Sequence, residues 1–328
     1  MLVALSFFAA FALTADIAWN EWKSTGAFPG LPWRAHALAL FVFVLETVSR
    51  ATKVQWGARA LHIPVRWIVA LRVSLGGDFG ASVTPARAGA EPARFLVLAE
   101  AGIATAPALL ILFFELALAL ISLVVACAVM GFFIPGGLLA GGMIGVIGGY
   151  AVFVIGIASV AFLLAGRRTI GPPPGWLRPL GIHAGRWRAI RRALRHIRSG
   201  MDGVRHARPG AMLVAFMLSL AHIALRLAVL PALIYGSGIG APLTPLVVWP
   251  LLLLYGGAVA PAPGGGGAVE FGFSLGLKNV LPPSVLAGAL IWWRFYSFYL
   301  YLLAGAIVAG TTVVRAINSS SKLPSPAL

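Results

Sequence analysis

The sequence predicts an all-α, polytopic membrane fold of about six spanning helices plus two re-entrant broken helices. Three observations carry that expectation. Of 328 residues, 60% are hydrophobic and only 10% charged, and the mean hydropathy is +0.93. A water-soluble core of this length needs no such excess, so the bilayer is the solvent. Stretches that reach the roughly 20 apolar residues of a spanning helix cover 36–56, 104–130, 138–165, 211–235 and 284–312, with 1–19 as a shorter sixth. Two further apolar pieces, Trp67 to Val83 and Leu246 to Ala260, are too short or too glycine-rich to cross, and each runs into a proline-glycine-carboxylate motif.

The first stretch also has the length of a signal-peptide core, but no Lys or Arg precedes it, and Asp16 to Trp19 reads as interfacial. Cys127 is the single cysteine, which excludes an internal disulfide and a thiolate metal cluster. The formal net charge is +16, and eleven arginines against one aspartate between Gly166 and Pro209 supply +10 of it. Such a block between spans marks the cytoplasmic side and an anionic leaflet, not nucleic acid.

With that loop inside and the nearly neutral 131–137 and 234–244 outside, both termini are expected in the cytoplasm. Lys53, Arg59, Arg66 and Arg72 then read as an inner connection after the second span, and Arg315 and Lys322 agree at the end of the chain.

The two interrupted pieces read SLGGDFGASVTPARAGAEPAR and LLLLYGGAVAPAPGGGGAVEF. Aligned on Pro85 and Pro263, both have a Gly-Gly pair 6 to 9 residues earlier, a glycine at +4 (Gly89, Gly267) and a glutamate at +6 or +7 (Glu91, Glu270). In the orientation above, one is entered from the cytoplasm and the other from outside. This predicts one transmembrane domain over 1–328, with a first repeat at about 36–130, a cytoplasmic loop at 166–209 and an inverted second repeat at about 211–312. Broken backbone at membrane depth must be buried in protein or line a wet cavity. Pro263 and the glycines Gly264, Gly265, Gly266 and Gly267 free successive N–H groups to face one anion. Ala268 follows where a nucleotide P-loop has lysine, and no strand precedes the run.

Ionisable groups inside the apolar runs are candidates for binding. Arg226 lies mid-span with His222 one turn earlier, at a cost on the order of 2.5–3.5 kcal/mol unless a carboxylate, phosphate or water meets it. Arg294 fits either binding or snorkelling toward an aromatic belt of Trp292, Trp293, Tyr296 and Tyr299. Arg87, Glu91 and Arg94 surround the first motif. Glu91 and Glu270 suit a cationic headgroup or a proton relay, a reading placed ahead of the alternative that each merely caps the next helix. Glu46 and Arg50 are spaced i, i+4 for an internal ion pair, while Asp78 and Glu115 receive no role.

In the basic loop, Trp187, Ile190, Leu194, Ile197, Met201 and Val204 recur with helical period, and Arg186, Arg188, Arg191, Arg192, Arg195 and Arg198 fill the other faces. That pattern predicts a helix lying flat on anionic lipid, or a docking face for a soluble partner. His183, His196 and His206 have no ligand spacing. No HExxH, CxxC, GxSxG or Asp-rich metal pair occurs; the expectation is therefore transport, with no cofactor and no metal.

Together, ETVSRATKVQWGARALHIPVRW, SVTPARAGAEPARF, the basic loop, PAPGGGGAVEF and the span bearing Arg294 resemble the flippase-like transmembrane domain of lysylphosphatidylglycerol synthetases, over roughly residues 5–315. The first element departs from the family pattern, since Ala90 separates a glycine and a glutamate that usually adjoin. The resemblance implies a lipid translocator of the bacterial cytoplasmic membrane. Substrates implied are aminoacylated phosphatidylglycerol or, as in stand-alone relatives, hopanoid or polyprenyl-linked lipids. No synthetase domain is expected before the end at Leu328, so lipid-biosynthesis enzymes are the expected partners. The alternative is a membrane-embedded enzyme or accessory subunit of a lipid-modifying pathway; a small-solute transporter ranks below both.

Overall fold

The computed structural model describes residues 30–84, 87–133, 207–256 and 265–321, with single residues or short runs between 12 and 26 and between 145 and 188. The expected spans 1–19 and 138–165 lie largely outside the described residues. So do Pro263, Gly264 and the loop arginines Arg186, Arg191, Arg192, Arg195 and Arg198. Trp187 is buried and Arg188 exposed.

Every regular element among the described residues is helical. Helix α1 covers Trp33–Ala60, α2 Trp67–Ser82, α3 Ala90–Glu100 and α4 Thr105–Phe133. Then come α5 at Pro209–Gly236, α6 at Leu243–Leu251, α7 at Ala268–Leu277, α8 at Pro283–Arg294 and α9 at Leu300–Ser321. Two wide π turns extend helices: Leu252–Gly256 after α6 and Phe295–Tyr299 joining α8 to α9.

Thr105–Gly131, Pro209–Gly236 and Pro283–Thr312 are long and apolar enough to cross a membrane. Helix α1 is as long as α5, but Glu46, Arg50 and Lys53 are buried within it. Lys53 thus lies inside α1 and not in a connection after it, buried where Glu115 of α4 meets its ammonium at 3.2 Å.

Helices α1 and α5 form the central pair. A methyl on Gly236 would stand 2.6 Å from the Ala35 Cα, Ser49 Oγ donates to Leu218 O at 3.1 Å, and Arg208 N donates to Ala60 O. Rising numbers in one helix match falling numbers in the other, so the two run antiparallel.

Each member of the pair leads into a helical hairpin. In the first, α2 and α3 pack so closely at their tips that a Cβ on Gly89 would lie 2.6 Å from Gly80 O. At the base, Arg72 Nη2 donates to Glu100 Oε2 at 2.6 Å, and Thr312 Oγ1 of α9 donates to the same carboxylate at 2.7 Å. The arms of 16 and 11 residues measure about 24 and 16 Å at 1.5 Å per residue, short of a bilayer core of about 30 Å.

In the second hairpin, Gly276 abuts the Trp249 ring, and a Cβ on Gly272 would meet Leu253 Cδ2 at 2.6 Å. The arms are again antiparallel and their contact again depends on missing side chains. Because α1 ends where α5 begins, and six-residue connections follow each (61–66 and 237–242), the two hairpins start from opposite ends of the central pair.

Candidate functional site

Glu46 is fully buried near the middle of α1, and an isolated carboxylate there would ionise only at great cost. Neighbours from three helices supply its charge balance. Arg50 Nε lies 3.6 Å from Oε1, His222 Nδ1 of α5 2.8 Å and Arg226 Nη1 3.4 Å. The Tyr301 hydroxyl of α9 donates to Oε2 at 2.6 Å. The Tyr301 ring also receives both guanidiniums, with Arg50 Cζ 5.0 Å and Arg226 Cζ 4.5 Å from its centroid. Arg226 Nη2 donates to the carbonyl of Ser297, inside the π turn, at 3.2 Å.

The cluster continues into the first hairpin. Arg50 Nη1 pairs with Asp78 of α2, Lys53 with Glu115 at 3.2 Å, and Arg94 of α3 with Glu91 at 3.0 Å and Glu115 at 3.6 Å. Arg50, Lys53, Arg94 and Arg226 are thereby matched by Glu46, Asp78, Glu91 and Glu115. Removing one member of such a buried set costs on the order of 3–5 kcal/mol, because the partner remains charged without compensation.

Arg87 is the cation outside this balance. It forms no hydrogen bond or ion pair among the described residues, yet Arg226, Asp78 and Arg94 all lie within electrostatic reach. The residue as a whole is exposed, while its guanidinium end lies deep among these charges. The backbone is left-handed, with φ 57°, a region where a non-glycine residue is held only by its surroundings. Glu91, whose side chain is 44% exposed, lies one helical turn further along.

The second motif is used differently. Gly265 and Gly267 have φ of 69° and 84°, which L side chains rarely adopt, and Gly267 is the N-cap of α7. Gly89, its counterpart in the alignment of the motifs, is the N-cap of α3. Glu270 Oε2 accepts from Gly267 N–H at 2.7 Å while Oε1 stands 2.7 Å from Arg294 Nε. Both oxygens of Glu270 are therefore occupied and the residue is buried. Arg294 is buried as well, its guanidinium 4.8 Å from the Phe298 ring centroid, so it does not snorkel. Gly266, between the two left-handed glycines, is partly exposed.

The structure thus gathers Arg87, Glu91, Arg94 and Arg226 into one region and joins Glu270 to Arg294 beside Gly267. Sequence reasoning gave no role to Asp78, Glu115 or Tyr301. Their partners are 21 to 255 residues away (Glu115 with Arg94, Tyr301 with Glu46), beyond any local periodicity. The single available signal was their depth within apolar runs.

The family model described as the lysylphosphatidylglycerol synthase TM region matches residues 1–305. The chain belongs to this family. Its membership covers both hairpins and the whole Glu46 cluster, so the site belongs to a lysylphosphatidylglycerol synthase-type membrane region and a lipid-related membrane role follows. No curated protein matches the chain.

Proposed function

We propose that this protein translocates a lipid with a charged headgroup between leaflets, and that the headgroup is received beside Arg87 and Glu91 while the acyl chains stay in the bilayer. Arg87 carries the reading. An arginine that has no ion-pair partner among the described residues, set within electrostatic reach of a charge-balanced cluster, supplies one unit of positive charge for a phosphate, and Glu91 offers the complementary contact for an amino group on the same headgroup.

Two helical hairpins that start from opposite ends of an antiparallel helix pair fit an inverted repeat with re-entrant arms. In transporters of that plan the N-terminal ends of half-helices hold anionic groups near the midplane, and one repeat rocks against the other. Here the second arms, α3 and α7, both begin at a glycine N-cap. The basic loop marks the cytoplasmic side of the bacterial inner membrane in this reading, and enzymes of lipid synthesis supply the substrate.

The test is a reconstituted-vesicle assay in which fluorescent phosphatidylglycerol, lysyl-phosphatidylglycerol or phosphatidylcholine is quenched from outside by dithionite. Arg87→Gln is expected to slow translocation by about tenfold or more, the share of one charge-assisted contact. Wild-type protein that moves no charged lipid faster than empty vesicles, or an Arg87→Gln variant with the wild-type rate, overturns the proposal.

A further inference from the structure

A second concave site lies at the end of the central pair where α1 stops and α5 starts. The cleft there has a volume of about 740 Å³ and is lined by Trp56, His62, Val65, Arg59, Arg66 and Arg208 among others, with no carboxylate among the described lining residues. Its frame is fixed by backbone: Gln55 Nε2 donates to Val65 O at 3.3 Å, Ile63 N returns to Ala58 O, and Arg208 N donates to Ala60 O. His62 turns the chain at φ 60°, which folds the connection back so that Arg66, the residue before α2, faces the same cleft as Arg59.

Arginine enrichment at one membrane side accounts for three cations somewhere on this end. It does not account for their convergence, from the end of α1, the start of α2 and the start of α5, on one cleft that also has apolar walls. A cleft of this size lies within the range of ligand sites, and a cationic rim over apolar walls suits an anionic amphiphile.

We infer that this cleft binds the phosphate headgroup of an anionic phospholipid from the adjacent leaflet, held by Arg59, Arg66 and Arg208, with Trp56 and Val65 against the glycerol and first methylenes. The site is separate from Arg87 and does not depend on the translocation proposal. Phosphate chemistry alone also describes inorganic phosphate, and the experiment separates the two sources.

Trp56 is a built-in reporter, since Arg59 Cζ lies 4.8 Å from its ring centroid. The full chain is placed in phosphatidylcholine nanodiscs containing increasing fractions of brominated phosphatidylglycerol or brominated phosphatidylcholine. The quenching of Trp56 is taken as the difference between wild type and Trp56→Phe. Half-quenching by the phosphatidylglycerol is expected at a mole fraction at least about fivefold lower than by the phosphatidylcholine, the effect of roughly one effective cation near an anionic headgroup. The preference is expected to vanish in a combined Arg59→Gln, Arg66→Gln, Arg208→Gln variant and to shrink in Arg66→Gln alone, which serves if the combined variant does not fold. Arg87→Gln is expected to leave it unchanged. Equal quenching by both lipids, a preference that survives the arginine substitutions, or relief of quenching by millimolar inorganic phosphate overturns the assignment.

Discussion

The two hairpins share a construction and differ in what they do with charge. Both have arms in glycine-mediated contact, a glycine N-cap on the second arm and a glutamate in the first turn after it. In the second, Glu270 is consumed by its own helix start and by Arg294. In the first, Glu91 is half-exposed and the neighbouring Arg87 has no ion-pair partner among the described residues. The difference teaches that one motif can pair its glutamate across to another helix in one place, Glu270 with Arg294, and within its own helix in the other, Glu91 with Arg94, which leaves Arg87 outside the pairing.

The most severe way to break this comparison is at the cluster that supports the first hairpin. Glu46→Ala leaves Arg226, His222 and Tyr301 without their carboxylate and is expected to destabilise the protein by about 3–5 kcal/mol, read as a lower midpoint in detergent unfolding. Next is the hairpin contact itself. A methyl on Gly80 would run into the Gly89 carbonyl, a backbone group that cannot rotate away, so Gly80→Ala is expected to cost about 1–3 kcal/mol. Gly210→Ala, with open space around it, is the control, and limited proteolysis of the two variants distinguishes them.

A smaller effect sharpens the pairing across helices. In a double-mutant cycle of Glu270→Gln and Arg294→Met, thermal unfolding is expected to give a coupling energy of about 1–3 kcal/mol; a value near zero would mean the second hairpin is not held by this pair. The smallest stability change is expected at Arg87. Arg87→Gln should shift unfolding by no more than about 0.5 kcal/mol, and Arg87→Gly, which removes the left-handed strain, should be at or slightly above wild type. Loss of translocation without loss of stability is the signature that separates Arg87 from Glu46.

Much of the fold was legible because membrane helices declare themselves by length and hydropathy. The expected 104–130, 211–235 and 284–312 correspond to α4, α5 and the α8–α9 unit, and 36–56 to α1 with a few residues added at each end. The alignment on Pro85 and Pro263 located the two N-cap glycines because left-handed or close-packed backbone requires glycine whatever the tertiary context. Glu46 with Arg50 and His222 with Arg226 were legible as single-helix spacings.

What joined those two pairs was not. The link runs between α1 and α5, 180 residues apart, and through Tyr301, whose hydroxyl gave no periodic signal among many aromatic residues. The burial of Lys53 was not legible because a lysine near a span end normally marks the membrane surface, and Glu115, which meets it, lies on another helix.

The π turn at Phe295–Tyr299 carries a consequence for evolution and engineering alike. Insertion or loss of one residue swings everything beyond it by about 100° around the helix axis. The added residue in this turn is what presents the Ser297 carbonyl to Arg226 and, about one turn later, the Tyr301 phenol to Glu46. The length of this segment is therefore locked: shortening it by one position would disengage both clasps at once and leave the final span indexed to the wrong neighbours.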